Sequence, residues 1–374
     1  MYCAPVMAPA AAPLLGVSPA AVGYFVTAAY LGSMIGTVTA GGWTARFGPI
    51  RVSQVGMLLC GCGLAVAASG ALWTVLVGAL LIGLGYGPAT PASSVILART
   101  APAGMLALTF SIKQTGVPLG TAIAGAAVPV MVLGLGWQAA ALTLGIVCAL
   151  FALVIGPLRG RYDRERDRAA PASLRSAFAP VLIVVRDWRI AQLALTSLVY
   201  GGVQITLVAY LVTFLADSFA LSLVLAGLVM AVSQLASVAG RIVWGVIADR
   251  ILSRRVTLGL LGIAMGVTAL FALRAGPHWP LWSLFAFAMA LGATAVGWNG
   301  VFLAELTRLA PRDRVGDVTG GSAFFTFLGV VITPPLFHFI LGLTSSYATT
   351  YALFGLPPLA VGVALVMTAR IARR

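Results

Sequence analysis

The feature that most restricts this chain is a succession of apolar runs, each about twenty residues or longer and nearly free of charge. They fall at 20–43, 52–70, 72–97, 106–131, 136–157, 189–216, 222–248, 256–274, 280–306, 316–341 and 348–369. An α-helix rises ~1.5 Å per residue, so each run crosses the ~30 Å hydrocarbon layer of a bilayer. Only 9% of the residues are charged and 60% are apolar. A water-soluble domain with that balance would expose mostly hydrocarbon, whereas a bilayer takes apolar surface as solvent. Backbone groups in hydrocarbon must be satisfied within their own segment, so the runs read as helices and the chain as an all-α membrane protein.

Residues 1–15 differ. They are apolar, but a helix of that length reaches only ~22 Å. Pro5, Pro9 and Pro13 each remove a helical hydrogen bond. The segment reads as the later part of a span whose beginning is absent, and no basic stretch marks it as a signal peptide.

The net charge of +14 does not point to nucleic acid, because the arginines sit in short gaps between apolar runs and form no basic face. They crowd alternate gaps. Arg46 and Arg51 share one, Arg99 lies in another, and the arginines from Arg159 to Arg189 lie in or beside the long central gap. Further groups run from Arg250 to Arg255, from Arg308 to Arg314 and from Arg370 to the C-terminus. The opposite side holds only Arg274. The crowded side is therefore expected to be cytoplasmic, with the C-terminus on it and the protein in the cell (inner) membrane. Cys3, Cys60, Cys62 and Cys148 form no paired spacing, and two histidines make no metal cluster, so no cofactor is expected.

The gap 158–188 is the only long one. Its RGRYDRERDR stretch reads as solvated, and Ala172 to Val185 as an amphipathic helix on the membrane face. It divides the chain into a bundle at 1–157, a linker at 158–188 and a bundle at 189–374. The two halves echo each other. Gly41, Ala45 and Arg46 lie 204 residues before Gly245, Asp249 and Arg250. Gly83 and Arg99 lie 209 residues before Gly292 and Arg308.

The glycine, acid and arginines Gly245, Asp249, Arg250 and Arg254, after the second run of the second half, resemble the signature of the major facilitator superfamily. Arg241 adds a basic residue one turn or so earlier. In the first half Gly41, Arg46, Gly48 and Arg51 match, but Ala45 stands where the acid is expected. The resemblance implies two pseudo-symmetric six-helix bundles, here about eleven complete transmembrane helices plus a partial first one. It also implies a monomeric secondary transporter that uses no cofactor. The motif reads as a latch in which Asp249 accepts hydrogen bonds from Arg250, Arg241 or helix ends. The blander reading of these arginines is that they only set topology.

In that family the cavity is lined mainly by spans 1, 4, 7 and 10, with help from 2, 5, 8 and 11, so polar side chains there are candidate ligands. Lys113, the only lysine, lies within span 5 beside Gln114. An intramembrane cation is costly and by default functional, unless it snorkels to the interface. Span 4 offers Tyr86 and Thr90, in a run interrupted by Pro88 and Pro91. Span 7 carries Gln192, Thr196, Tyr200 and Gln204 at four-residue spacing. Gln234 lies in span 8, and Trp298 with Asn299 is central in span 10. Glu305 reads as the partner of an arginine such as Arg308. No clear mid-membrane acid occurs in the first half, which favours a small organic or inorganic anion as solute, with Lys113 as its counter-charge. The alternatives are export of a neutral or hydrophobic compound, as in drug exporters, or an inactive truncated transporter. Partners expected are the lipid bilayer, a small-molecule solute and, as a coupling ion, the proton. A membrane enzyme would need a nucleophile, a metal cluster or a paired acid and base at membrane depth, and no such set is visible.

Overall fold

The computed structural model describes residues 3–17, 22–167, 169, 178–221, 223–276 and 279–371. Among these the regular elements are helices. In chain order they are α1 (Cys3–Leu14), α2 (Val22–Phe47), α3 (Pro49–Ala67), α4 (Leu72–Tyr86), α5 (Ala89–Thr100), α6 (Leu106–Gln114), α7 (Gly116–Leu135), α8 (Trp137–Val154) and α9 (Arg159–Tyr162). Then follow α10 (Ala179–Arg186), α11 (Trp188–Phe219), α12 (Leu223–Arg250), α13 (Arg254–Phe271), α14 (Leu281–Ala295), α15 (Asn299–Leu309), α16 (Val315–Thr344) and α17 (Tyr347–Ile371). Ten helical stretches among the described residues are long and apolar enough to cross a membrane. The run expected at 20–43 falls on α2, which is 26 residues long and is not one of those ten. The N-terminal segment is helical through all three of its prolines, with Met7, Ala11 and Ala12 buried. Pro5 lies in the first turn, where an N–H has no helical partner, and Pro9 and Pro13 each cost one bond without ending the helix. The expected amphipathic helix at Ala172–Val185 lies partly outside the described residues, and Ala179–Arg186 is helical.

Three spans are each two helices. The fourth breaks between α4 and α5 at Gly87–Pro88, the fifth between α6 and α7 at Thr115, and the tenth between α14 and α15 at 296–298. The breaks in the fourth and tenth are related by the 209-residue offset of the repeat. Pro88 explains the first break, since it offers no N–H and crowds the preceding turn. Gly297 weakens the corresponding turn without a proline.

The chain divides into two compact units. One comprises Met1–Thr100, Val117–Ala191 and Leu309–Phe327, the other Ala101–Gly116, Gln192–Arg308 and Leu328–Arg374. Within the first, α4 packs on α2 and α3, and α3 on α8. Within the second, α13 packs on α17, and α12 on α14 and α6. The close approaches are made by paired glycines, Gly56 against Gly85 in the first unit and Gly259 against Gly362 in the second. A methyl group at any of these would meet facing backbone atoms, which is why small residues line helix contacts where no hydrophobic effect drives association. Apolar side chains also cover the outside, as at Leu133, 89% exposed, and this surface suits lipid rather than water.

Candidate functional site

In each unit a helix that cannot cap itself is capped by an aspartate from elsewhere in the chain. Helix α6 begins after Met105, whose side chain has no hydrogen-bonding oxygen. The N–H groups of its second and third residues, Ala107 and Leu108, instead donate to the two carboxylate oxygens of Asp249, at 3.1 and 2.8 Å. Arg254 donates to the same carboxylate at 2.9 Å, and the Asp249 side chain is only 2% exposed. This is N-capping geometry supplied from α12, with a negative charge at the positive end of a helix. Gly245, one turn earlier on α12, lets α6 approach so closely that a Cβ there would meet Leu108 and Ser111. The basic partner of Asp249 is thus Arg254 rather than the expected Arg250 or Arg241. Arg250 is exposed, and Arg241 hydrogen-bonds elsewhere.

In the other unit the motif lacks its acid at Ala45, and Asp163 provides one. Its carboxylate accepts from Ile50 N–H at 2.9 Å and Arg51 N–H at 3.1 Å, the second and third residues of α3. The N-cap position is Gly48, at φ +92°, where a Cβ would strike the Asp163 carboxylate. Arg159 lies 3.7 Å from that carboxylate. Asp163 is 3% exposed, so the charged stretch read as solvated contains a buried structural acid. Gly41 packs against Asp317 at the start of α16, while Arg46 is exposed above the Phe47 ring. The Arg51 side chain is exposed.

The polar groups nominated in spans 5, 7 and 10 lie in the second unit, where Arg241 links the backbones of spans 5 and 10. Lys113 Nζ donates to Gln114 Oε1 at 3.0 Å. No carboxylate lies within salt-bridge distance of Lys113 among the described residues. The three acids of this unit are engaged elsewhere: Asp217 with Tyr347, Asp249 with α6 and Arg254, and Glu305 with Arg308 in a two-pronged pair at 2.8 Å each. Gln204 Oε1 accepts from both Trp298 Nε1 and Asn299 Nδ2 at 3.1 Å. Trp298 is buried and meets the Tyr200 ring edge-on at 5.7 Å. Arg241, 2% exposed, reaches between these groups: its Nη1 donates to the Gln114 carbonyl at 2.8 Å and its Nε to the Val296 carbonyl at 3.0 Å.

The rest of the span 7 stripe is committed to packing. The Tyr200 hydroxyl donates to the Leu258 carbonyl at 2.9 Å, and Thr196 to the carbonyl of Gln192 in its own helix at 2.7 Å. Gln192 Oε1 accepts from Arg255. Gln234 is half-buried on α12. Tyr86 and Thr90 belong to the first unit, where Tyr86 packs on Phe327 with centroids 6.2 Å apart and Thr90 is half-buried. The residues that sequence reasoning missed are Asp163 and Trp244, whose Nε1 holds the Ala293 carbonyl at 3.0 Å. A signal for Asp163 was present, since Gly48 before Pro49 begins a helix with a residue that has no side chain to cap it.

The sequence profile described as Major Facilitator Superfamily matches residues 1–334. An uncharacterized MFS-type transporter of Mycobacterium tuberculosis is 28% identical over 320 residues, covering 84% of this chain and 69% of that protein. A probable sulfoacetate transporter of Cupriavidus necator is 25% identical over 339 residues, covering 84% of this chain and 77% of that protein. The solved structure of a proton:xylose symporter superposes with a TM-score of 0.76 at 15% identity, covering 97% of this chain and 91% of that one. At that identity the likeness is one of fold.

Proposed function

We propose, from the premise that this chain belongs to the Major Facilitator Superfamily, that it carries a small organic anion across the cell membrane by alternating access. Lys113 is the counter-charge for the solute. The observation that carries this reading is a lysine in the broken fifth span, bound by the Gln114 side chain and lacking a carboxylate partner among the described residues. An ammonium group at membrane depth is costly by ~2.5–3.5 kcal/mol on insertion scales, and an arriving carboxylate or sulfonate offsets that cost. The sulfoacetate relative supports the same class of solute, since sulfoacetate carries both kinds of anionic group. Gln114, Gln204 and Asn299 supply neutral donors and acceptors in the same unit. The arginine-rich ends of the spans, with the C-terminus, face the cytoplasm in this reading, by the bias of basic residues toward that side.

The test is uptake into proteoliposomes of a panel of short carboxylates and sulfonates, with and without a proton gradient. Wild type should accumulate or exchange at least one of them, and Lys113→Ala should abolish that flux. Flux of every panel member unchanged in Lys113→Ala rules the assignment out. A stimulation by an inward proton gradient identifies the proton as the coupling ion.

A further inference from the structure

Two helix breaks in the second unit expose carbonyl oxygens for different reasons. In span 5 the carbonyl of Gln114 should accept from the N–H four residues on, but that residue is Pro118, which has none. In span 10 Val296 closes α14, and the last carbonyls of a helix have no partner within it. Arg241 reaches both with two separate nitrogens, as noted above. A guanidinium presents its donors in a rigid planar fork, so two acceptors held by one fork are fixed relative to each other. Immediately beside one acceptor are Lys113 and the Gln114 side chain. Beside the other is Asn299, whose Nδ2 also approaches the Val296 carbonyl at 3.4 Å and binds Gln204.

We infer that Arg241 is a positioning residue: it staples the broken ends of spans 5 and 10 together and so sets Lys113 in register with Gln204 and Asn299. Two of its nitrogens are engaged by backbone carbonyls, and the role inferred for it is geometry. Trp244, one turn along α12, holds the neighbouring Ala293 carbonyl of α14 but bonds to nothing on α6. It therefore separates general support of α14 from the staple itself. The inference rests on the transport reading for its consequence, but the geometry it asserts is independent of any solute.

The experiment places a single cysteine at position 113 in full-length protein whose Cys3, Cys60, Cys62 and Cys148 are replaced by alanine. The rate of modification by a small anionic methanethiosulfonate is measured in purified, folded protein. Three further substitutions are compared. Arg241→Lys keeps the charge and loses the fork. Pro118→Ala restores an N–H that takes the Gln114 carbonyl within the helix and releases one arm of the staple. Trp244→Phe removes only the α14 contact. Arg241→Lys and Pro118→Ala should each change the labelling rate about tenfold, equivalent to ~1.4 kcal/mol, and Trp244→Phe less than about twofold. Should Arg241→Lys fail to fold, Pro118→Ala alone decides the matter. The inference is overturned if either folded variant labels within about twofold of its parent, or if Trp244→Phe has as large an effect. With Lys113 present, Arg241→Lys should raise the KM of a transported anion more than it lowers the maximal rate. A labelling change without anion flux in wild type would leave the staple standing and remove the transport reading.

Discussion

Replacing Asp249 with alanine tests the cap on α6 directly. The substitution removes three hydrogen bonds at once, two from the Ala107 and Leu108 N–H groups and one from Arg254. A buried donor left without an acceptor costs ~1–3 kcal/mol, and a missing N-cap ~0.5–2 kcal/mol. These figures overlap, because the cap is made of those same two bonds. Arg254, 18% exposed, regains water and adds little. The net loss is therefore ~2–4 kcal/mol, and Asp249→Asn, which keeps one side-chain oxygen, should lose about half as much. In detergent, Asp249→Ala should melt several degrees below wild type while still inserting and purifying as a folded protein. Its transport rate should fall by about tenfold or more if the cap must re-form in each cycle, since ~1.4 kcal/mol is tenfold in an equilibrium. Asp249→Asn should lie between the two in both assays. A melting temperature and uptake rate indistinguishable from wild type for Asp249→Ala would show that the carboxylate holds nothing that matters.

Asp163→Ala should destabilise the first unit by ~1–3 kcal/mol, through the N–H groups of Ile50 and Arg51, and should be read as a lowered melting temperature. Gly245→Val should be worse tolerated than either aspartate change, because its side chain enters the space of Leu108 and Ser111. Poor recovery of folded protein is the expected result. Ser111→Ala should be nearly neutral, within ~1 kcal/mol, since the buried Ser111 hydroxyl has no partner among the described residues and melting should barely move. Lys113→Arg should keep a measurable part of the anion flux that Lys113→Ala loses, because charge survives while the shape of the donor changes.

Much of the molecule was legible in the sequence because a bilayer enforces simple rules. Length and hydropathy placed the spans to within a few residues, since an apolar run of about twenty residues matches a helix crossing the hydrocarbon with its backbone satisfied internally. Pro88 announced the break at Gly87–Pro88, and the 209-residue repeat announced that the fourth and tenth spans correspond. Glu305 reads in sequence as the partner of an arginine such as Arg308 or of the latch, and Arg308, three residues on along the helix, is the one it pairs with. What could not be read was which side chain reaches which partner across helices. Asp249 reads in sequence as an acceptor for Arg250, Arg241 or helix ends with no helix named, and Asp163 is not singled out. It took the fold to put each at the second and third N–H groups of a helix 142 and 113 residues away respectively. Arg241 looked like part of the cytoplasmic motif by its nearness to Asp249 in sequence, yet packing of α12 against α6 and α14 carried its guanidinium to two orphaned carbonyls instead. Local rules are written in consecutive residues, but the partner of a buried polar group is chosen by whichever helix packs against it, and that is settled only when the chain is folded.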